Sequence, residues 1–269
     1  RVRDEEPKTS REHHRLCQIF VAHPTAPALP SSRRSIIMTK SVVAIVGAGQ
    51  VGMAIAGNLV KDATYDVVIG ARDPAKTAEK LGADATWTIR TIPEAIAAAD
   101  AIVLAVPGAV DDAGIQATAA SLGACAGKVI LDATNPVTPF PALAIRWGET
   151  TSGGEVLAAA LPAAHVYKAF NTVGVEHIAA PDGSASGAAA REDMLVAGDA
   201  AEAPKALALG VVQSAGFQPH YVGPIRYARN LEAIAELWIH LSTGVIGENT
   251  SIEWGRAFNF AVSGTIKED

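Results

Sequence analysis

Val42-Val43-Ala44-Ile45-Val46-Gly47-Ala48-Gly49-Gln50-Val51-Gly52-Met53-Ala54-Ile55-Ala56-Gly57-Asn58-Leu59-Val60 is the stretch on which the reading of this chain turns. A five-residue apolar run, mostly β-branched, stops at Gly47. Two further glycines follow, and apolar residues then recur at helical spacing through Ile55, Leu59 and Val60. The pattern predicts a strand, a tight turn and a helix. Gly47 lets the chain turn sharply off the strand, Gly49 has no Cβ to hold a pyrophosphate away from the backbone, and Gly52 lets the helix approach the strand. The N–H groups of the first helical turn have no partner within the helix and favour negative charge. Glycine turns of this spacing arise in many loops; the strand before it and the helix after it are what a dinucleotide site requires. The expected pyrophosphate contacts are Gly47, Ala48, Gly49, Gln50, Val51 and Gly52.

Tyr65–Gly70 reads as the second strand. Where a site for NAD would place a carboxylate on the ribose hydroxyls, roughly 20 residues past the glycines, stand Gly70 and Ala71, followed by Arg72. A carboxylate there would repel a 2′-phosphate, whereas a planar guanidinium pairs with one in bidentate fashion, and Lys76 adds a second positive charge one turn later. Ala71, Arg72 and Lys76 are therefore the expected 2′-phosphate contacts and NADP(H) the expected cofactor. The alternative is a solvated helix start, although cations at a helix N-terminus are unfavourable.

Asp73-Pro74 opens a helix that stops at Leu81-Gly82. A short strand near Ala85–Ile89, a helix over Ile92–Ala99 and a strand Ala101–Val106 follow, the last ended by Pro107-Gly108. Val106 and Pro107 are expected to flank the cofactor where strand order reverses. A helix Asp111–Leu122 precedes the strand in Lys128-Val129-Ile130-Leu131-Asp132-Ala133-Thr134-Asn135-Pro136. Asn135 is either part of an ordinary turn or a hydrogen-bonding group for the ribose or the nicotinamide amide.

Gly153–Leu161 reads as a helix, and Ala164–Phe170 as the sixth strand, leading into Asn171-Thr172-Val173-Gly174. Lys168 interrupts a core-like strand; it is either a ligand contact or the partner of a rim carboxylate such as Asp132. Thr172 is a candidate N-cap for a helix through Ile178. After a small-residue loop, Pro181–Ala190, come a strand Asp193–Ala197, a helix from about Ala201 to Ser214 and a strand Phe217–Val222. In Ile225–Leu241 the residues Tyr227, Leu231, Ile234, Ala235, Trp238 and Leu241 form an apolar helical stripe, which must pack on the domain or on a second subunit.

These elements make an α/β protein: a Rossmann-type doubly wound, mostly parallel sheet with a small C-terminal helical segment. Residues 1–37, with four prolines and no sustained apolar period, are expected to be a disordered N-terminal extension outside the fold, with Met38 as the natural start. Residues 38–222 would form the nucleotide-binding domain and 223–269 the C-terminal segment. The first 37 residues carry seven Lys/Arg against four Asp/Glu, leaving 15 against 24 in the remainder. So acidic a body argues against nucleic acid as a partner. No apolar run approaches the ~18 residues of a membrane span. Cys17 and Cys125 offer neither a disulfide framework nor zinc spacing, so a soluble, reduced, cytoplasmic protein is expected.

Several separate strings carry a likeness: Gly47–Gly52, Gly70–Pro74, Asp132–Pro136, Lys168-Ala169-Phe170-Asn171-Thr172, Ala197-Gly198-Asp199 and Arg229-Asn230-Leu231-Glu232. From about Val42 to Phe260 the chain resembles the coenzyme F420-dependent NADP oxidoreductase family. The resemblance implies NADP held by the glycine turn with Ala71, Arg72 and Lys76, and a deazaflavin stacked on the nicotinamide. The Lys-Ala-Phe-Asn-Thr string is similar to one in the reductase domains of six-transmembrane metalloreductases, which use a common flavin. The second substrate is thus coenzyme F420 or FMN/FAD. Gln50 stands where the family often has asparagine.

Hydride transfer between two stacked rings needs alignment rather than a protein nucleophile or acid. That agrees with the lack of any Ser-His-Asp, Cys-His or paired-carboxylate arrangement in the sequence, and of metal spacing among its histidines. Asn135, Lys168, Asn171 and Thr172 are the positioning candidates, and Ala169 and Asn171 join Val106, Pro107 and Asn135 as expected cofactor contacts. Two other readings stand beside this one. The first is NADPH-dependent reduction of a small imine or ketone, which would need a proton donor such as Lys168, Tyr167 or Thr172. The second is a non-catalytic NADP(H)-sensing protein that uses the Tyr227–Leu241 stripe as a partner surface. A homodimer is expected from the family likeness and the final helix.

Overall fold

The computed structural model describes residues 40–82, 87–139, 142–145, 150–185, 187, 190–243 and 255–262. The expected N-terminal extension lies outside these residues, as do parts of the Ala85–Ile89 strand, of the 181–190 loop and of the C-terminal segment.

Eight strands form one sheet in the order β3-β2-β1-β4-β5-β6-β7-β8. β1 (Val42–Val46), β2 (Asp66–Ala71), β3 (Thr88–Thr91), β4 (Ala101–Leu104), β5 (Val129–Asp132) and β6 (His165–Lys168) are parallel. β7 (Asp193–Gly198) runs antiparallel to β6, and β8 (Gln218–Gly223) parallel to β7. This is the doubly wound α/β arrangement expected from the sequence, with strand order reversing between β1 and β4. Because side chains alternate along a strand, Val43 and Ile45 of β1 enter one core layer and Ala44 and Val46 the other. The first layer holds Ile55 and Leu59 of α1 (Gln50–Asp62) and Val211 of α7 (Glu202–Ser214). The second holds Ile96 of α3 (Ile92–Ala98), Ile115 of α4 (Asp112–Leu122) and Leu157 of α5 (Gly153–Ala160).

Most expected elements form with shifts of a residue or two. Among the described residues the short third strand runs from Thr88 to Thr91, and the fourth strand ends at Leu104 rather than Val106. One cap is corrected. α6 (Val175–Ala179) begins after Gly174, two residues beyond Thr172, and has no side-chain cap. Thr172 is instead buried in the turn leaving β6. The final helix begins as a 3-10 turn at Ile225–Tyr227 and continues as α8 (Ala228–Thr243). Along the stripe Leu231, Ala235, Trp238 and Leu241 are buried, whereas Tyr227 is 39% exposed. This helix therefore packs on its own domain. No helix among the described residues is long and apolar enough to cross a membrane.

Candidate active site at the carboxyl rim of the sheet

The glycine turn has the geometry that its residue types require. Gly47 has φ 116°, and a Cβ there would collide with the carbonyl of Ala105 just beyond β4. A Cβ on Gly52 would collide with the carbonyl oxygen of Gly47. Gly49 is different: nothing lies within 4 Å of the position its Cβ would take. Two of the glycines thus serve the fold, and the third leaves the backbone open to a ligand.

The helix ends make the same distinction. Five helices follow the parallel strands β1 to β5, and four of them have their first N–H groups satisfied by a side chain. Asp73 caps α2 (Pro74–Leu81), Thr91 caps α3, Asp111 caps α4 and Ser152 caps α5. α1, which follows the glycine turn, has Gly49 at its N-cap and no side-chain partner. Its free N–H groups and positive dipole end face the crevice where strand order reverses.

Ala71 is buried at the end of β2, and Arg72 next to it is exposed. Lys76 lies in the first turn of α2 with its ammonium 3.8 Å from Asp73, a solvent-exposed pair of little strength. No carboxylate stands at the strand end itself. The residues present there fit a 2′-phosphorylated ribose.

The loops after β5 and β6 meet on the same rim. Asn135 Nδ2 donates to the backbone oxygen of Asn171 at 3.0 Å, and Asn171 Nδ2 donates to Asn135 Oδ1 and to the backbone oxygen of Leu231 in α8, both at 3.1 Å. Asn171 Oδ1 is buried without a partner in the protein. A buried amide oxygen of this kind requires a donor, and a ligand amide can supply one. In the loop after β6, Phe170 adopts φ 62° although it is not a glycine. Such strain persists only where the surroundings impose it, and it clusters at ligand sites.

Lys168 is fully buried, and its ammonium has three acceptors. These are Asp132 Oδ2 at 2.9 Å, the backbone oxygen of Thr134 at 2.5 Å and Glu232 Oε1 of α8 at 3.0 Å. Of the two readings of this residue, the ion pair with Asp132 is the one formed. Burial works against its charge, but the two carboxylates outweigh it and hold the ammonium above its ordinary pKa. Asp132 Oδ1 also accepts from the backbone N–H and hydroxyl of Thr134. Glu232 accepts from the N–H groups of Gly153 and Gly154, both at 2.9 Å, so the positive end of α5 is filled by a carboxylate of the protein itself.

Sequence reasoning gave Glu232 no role. The available signal was its place one residue after Leu231 and three before Ala235, a charged residue on the apolar side of the helix. Thr172 is buried beside the rim but does not cap a helix. His165 is half-buried and pairs with Asp199 at 2.6 Å, away from these contacts. Among the described residues, no group of three or more His, Cys, Asp or Glu could hold a metal ion.

Residues 42–136 match the family described as NADP oxidoreductase, coenzyme F420-dependent. With the fold and the glycine turn, this places the chain in the class of NADP-dependent oxidoreductases. The resemblance read from the sequence holds over that segment. A crystal structure from Arthrobacter sp. FB24, provisionally assigned as an F420-dependent NADP-reductase, is similar with a TM-score of 0.64 and 26% identity, over 82% of this chain and 99% of that one. A hypothetical protein from Sinorhizobium meliloti gives a TM-score of 0.57 at 22% identity, over 84% of this chain and 97% of its own. A reductive aminase from Aspergillus terreus, in complex with NADPH and ethyl levulinate, gives 0.52 at 24% identity, over 77% and 66%. The last two share the fold. No curated protein matches the chain.

Proposed function

We propose that this protein transfers a hydride between NADPH and a deazaflavin of the coenzyme F420 type, or a related flavin. One observation carries the reading. The single uncapped helix end among the five that follow β1 to β5 lies behind a glycine with open space above it, at the point where strand order reverses. A pyrophosphate fits there, and Arg72 just past β2 and Lys76 in the first turn of α2 suit the 2′-phosphate. When bound, the nicotinamide supplies the hydride; the protein supplies alignment. Asn171 Oδ1 is the acceptor for the carboxamide, and Asn135 holds Asn171 in place. Val106 and Pro107 border the ring, whereas Ala169, expected beside them, is fully buried in the core layer of Val43 and Ile45.

The imine or ketone reductase reading has less support, since it needs a proton donor at the ring. Lys168 and Tyr167 are both fully buried, and burial raises the Tyr167 hydroxyl well above its ordinary pKa.

The test is anaerobic oxidation of NADPH by the purified protein with coenzyme F420, FMN or FAD as acceptor and NADH as the control donor. Turnover with F420 and NADPH is the expected result. Loss of the Arg72 contact in Arg72→Ala should raise the KM for NADPH by roughly 10- to 100-fold, the equivalent of one charge-assisted hydrogen bond, and leave NADH unaffected. Reduction of FMN or FAD alone would move the assignment to a general flavin reductase. Tight NADPH binding with no acceptor reduced would favour the sensor.

A further inference from the structure

We infer that Glu232 of the C-terminal helix is a positioning residue for the nicotinamide end of the site, acting through Lys168 on the rim loop Asp132–Pro136; this rests on the NADP(H) reading above.

Four elements converge on one buried ammonium. Lys168 comes from β6, Asp132 and Thr134 from β5 and the loop after it, Glu232 from α8, and the N–H groups of Gly153 and Gly154 join through Glu232. The three side chains carry a net charge of −1 with no access to water, which the positive end of α5 offsets. Every acceptor near Lys168 is thereby fixed. The Thr134 carbonyl is drawn to the ammonium, and its N–H and hydroxyl are drawn to Asp132. Asn135, the next residue, has its backbone set by these contacts. Its side chain in turn orients Asn171, whose second contact is the backbone oxygen of Leu231, the neighbour of Glu232. Two successive residues of α8 therefore hold both rim loops, one through a charge and one through a carbonyl.

Without the Glu232 charge, the ammonium keeps one carboxylate, Asp132, and faces a neutral amide in place of the second. The loop then gains freedom at Thr134 and Asn135, where the ring and its amide are aligned. The glycine turn and Arg72, at the other end of the cofactor, are untouched. This separates binding from alignment. Glu232→Gln should leave the Kd for NADPH within about threefold of wild type, less than 1 kcal/mol. Hydride transfer should slow by roughly 10- to 100-fold, as a small misplacement of reacting groups does.

The experiment compares wild type, Glu232→Gln, Glu232→Asp and Glu236→Gln. Glu236, one turn along the same helix, accepts from Ile145 N and controls for loss of a merely structural carboxylate. The readouts are NADPH affinity, fluorescence lifetime of bound NADPH at saturation, and single-turnover hydride transfer with its isotope effect from 4-deuterated NADPH. The expected result is near-normal affinity with an altered lifetime, slowed transfer and a larger isotope effect in Glu232→Gln, partial recovery in Glu232→Asp, and no such change in Glu236→Gln. If Glu232→Gln does not fold, Glu232→Asp carries the same comparison. A folded variant with wild-type lifetime and isotope effect overturns the inference. If wild type reduces no acceptor, the hydride-transfer reading fails, and the lifetime alone decides this one: changed supports it, unchanged overturns it.

Discussion

Asn135 and Asn171 are joined by two hydrogen bonds, side chain to backbone in one direction and side chain to side chain in the other, at 3.0 and 3.1 Å. They lie 36 residues apart, at the ends of adjacent parallel strands, and their pairing makes one rim of two loops. Asn135→Ala removes both bonds and leaves the buried Asn171 amide with only Leu231. The expected cost is about 1–3 kcal/mol, the range for a buried polar group that loses its partner, seen as a lower midpoint in urea. Hydride transfer should slow in the same variant, because Asn171 is then free to turn, while NADPH affinity, held by the glycine turn and Arg72, should change little.

The three glycines of the turn should separate stability from binding. Gly52→Ala places a methyl against the Gly47 carbonyl and at 3.2 Å from Ile45 Cγ2, and backbone cannot yield as a side-chain tip can. Its expected cost is about 1–3 kcal/mol from overpacking. Gly49 has φ −89° and ψ −174°, which alanine adopts freely, and open space around it. Gly49→Ala should unfold within about 0.5 kcal/mol of wild type yet bind NADPH on the order of tenfold more weakly, or worse, about 1.4 kcal/mol. Thermal unfolding and cofactor titration on the two variants check the crossover.

Such local features explain what the sequence made legible. The glycine turn, the Asp73-Pro74 helix start and the apolar strands are each encoded within a few residues, and each formed where expected. Strand ends were less legible: Ala105 still donates to Val46, but the chain leaves the sheet before Val106, ahead of Pro107. Lys168 was readable only as a choice between ligand and ion pair. Its partners come from β5 and from α8, and no local pattern tells which carboxylates will meet at a buried ammonium. Glu232 could have been suspected as a charge on an apolar helix face, yet its targets, the α5 N–H groups, lie 78 and 79 residues away. The positive φ of Phe170 had no signal, because nothing in its side chain favours that conformation.

Acid should weaken the docking of α8 on α5. Arg229 grips Glu155 in bidentate fashion, at 2.7 and 2.8 Å. Burial raises the Glu155 pKa, but the bonds from Arg229 and Ser152 outweigh it and hold the carboxyl below its ordinary value. A group depressed in the folded state adds stability above its unfolded pKa, and that stability is lost as pH falls through the folded value. Glu155→Gln should therefore be less stable than wild type at pH 7, and the gap should close as pH drops below about 4.5. Urea midpoints of both proteins between pH 7 and pH 3 check this, and a gap independent of pH would contradict it.

Phe170 provides a test of strain at the rim. Its ring is buried, edge-on to Phe217 with centroids 6.0 Å apart, and its N–H points at the Met194 sulfur 3.1 Å away. Truncation to alanine forfeits the ring, a loss of about 3–5 kcal/mol. Glycine forfeits the same ring, and in ordinary backbone it would cost about 0.5–1 kcal/mol more than alanine. At φ 62°, however, a Cβ itself costs about 1–2 kcal/mol, which glycine avoids. The usual order should reverse, with Phe170→Gly more stable than Phe170→Ala by up to about 1.5 kcal/mol. Paired urea unfolding of the two variants cancels the shared loss of the ring and isolates the backbone. If alanine is the more stable of the pair by its usual margin, the left-handed turn between Ala169 and Asn171 is not imposed by the fold.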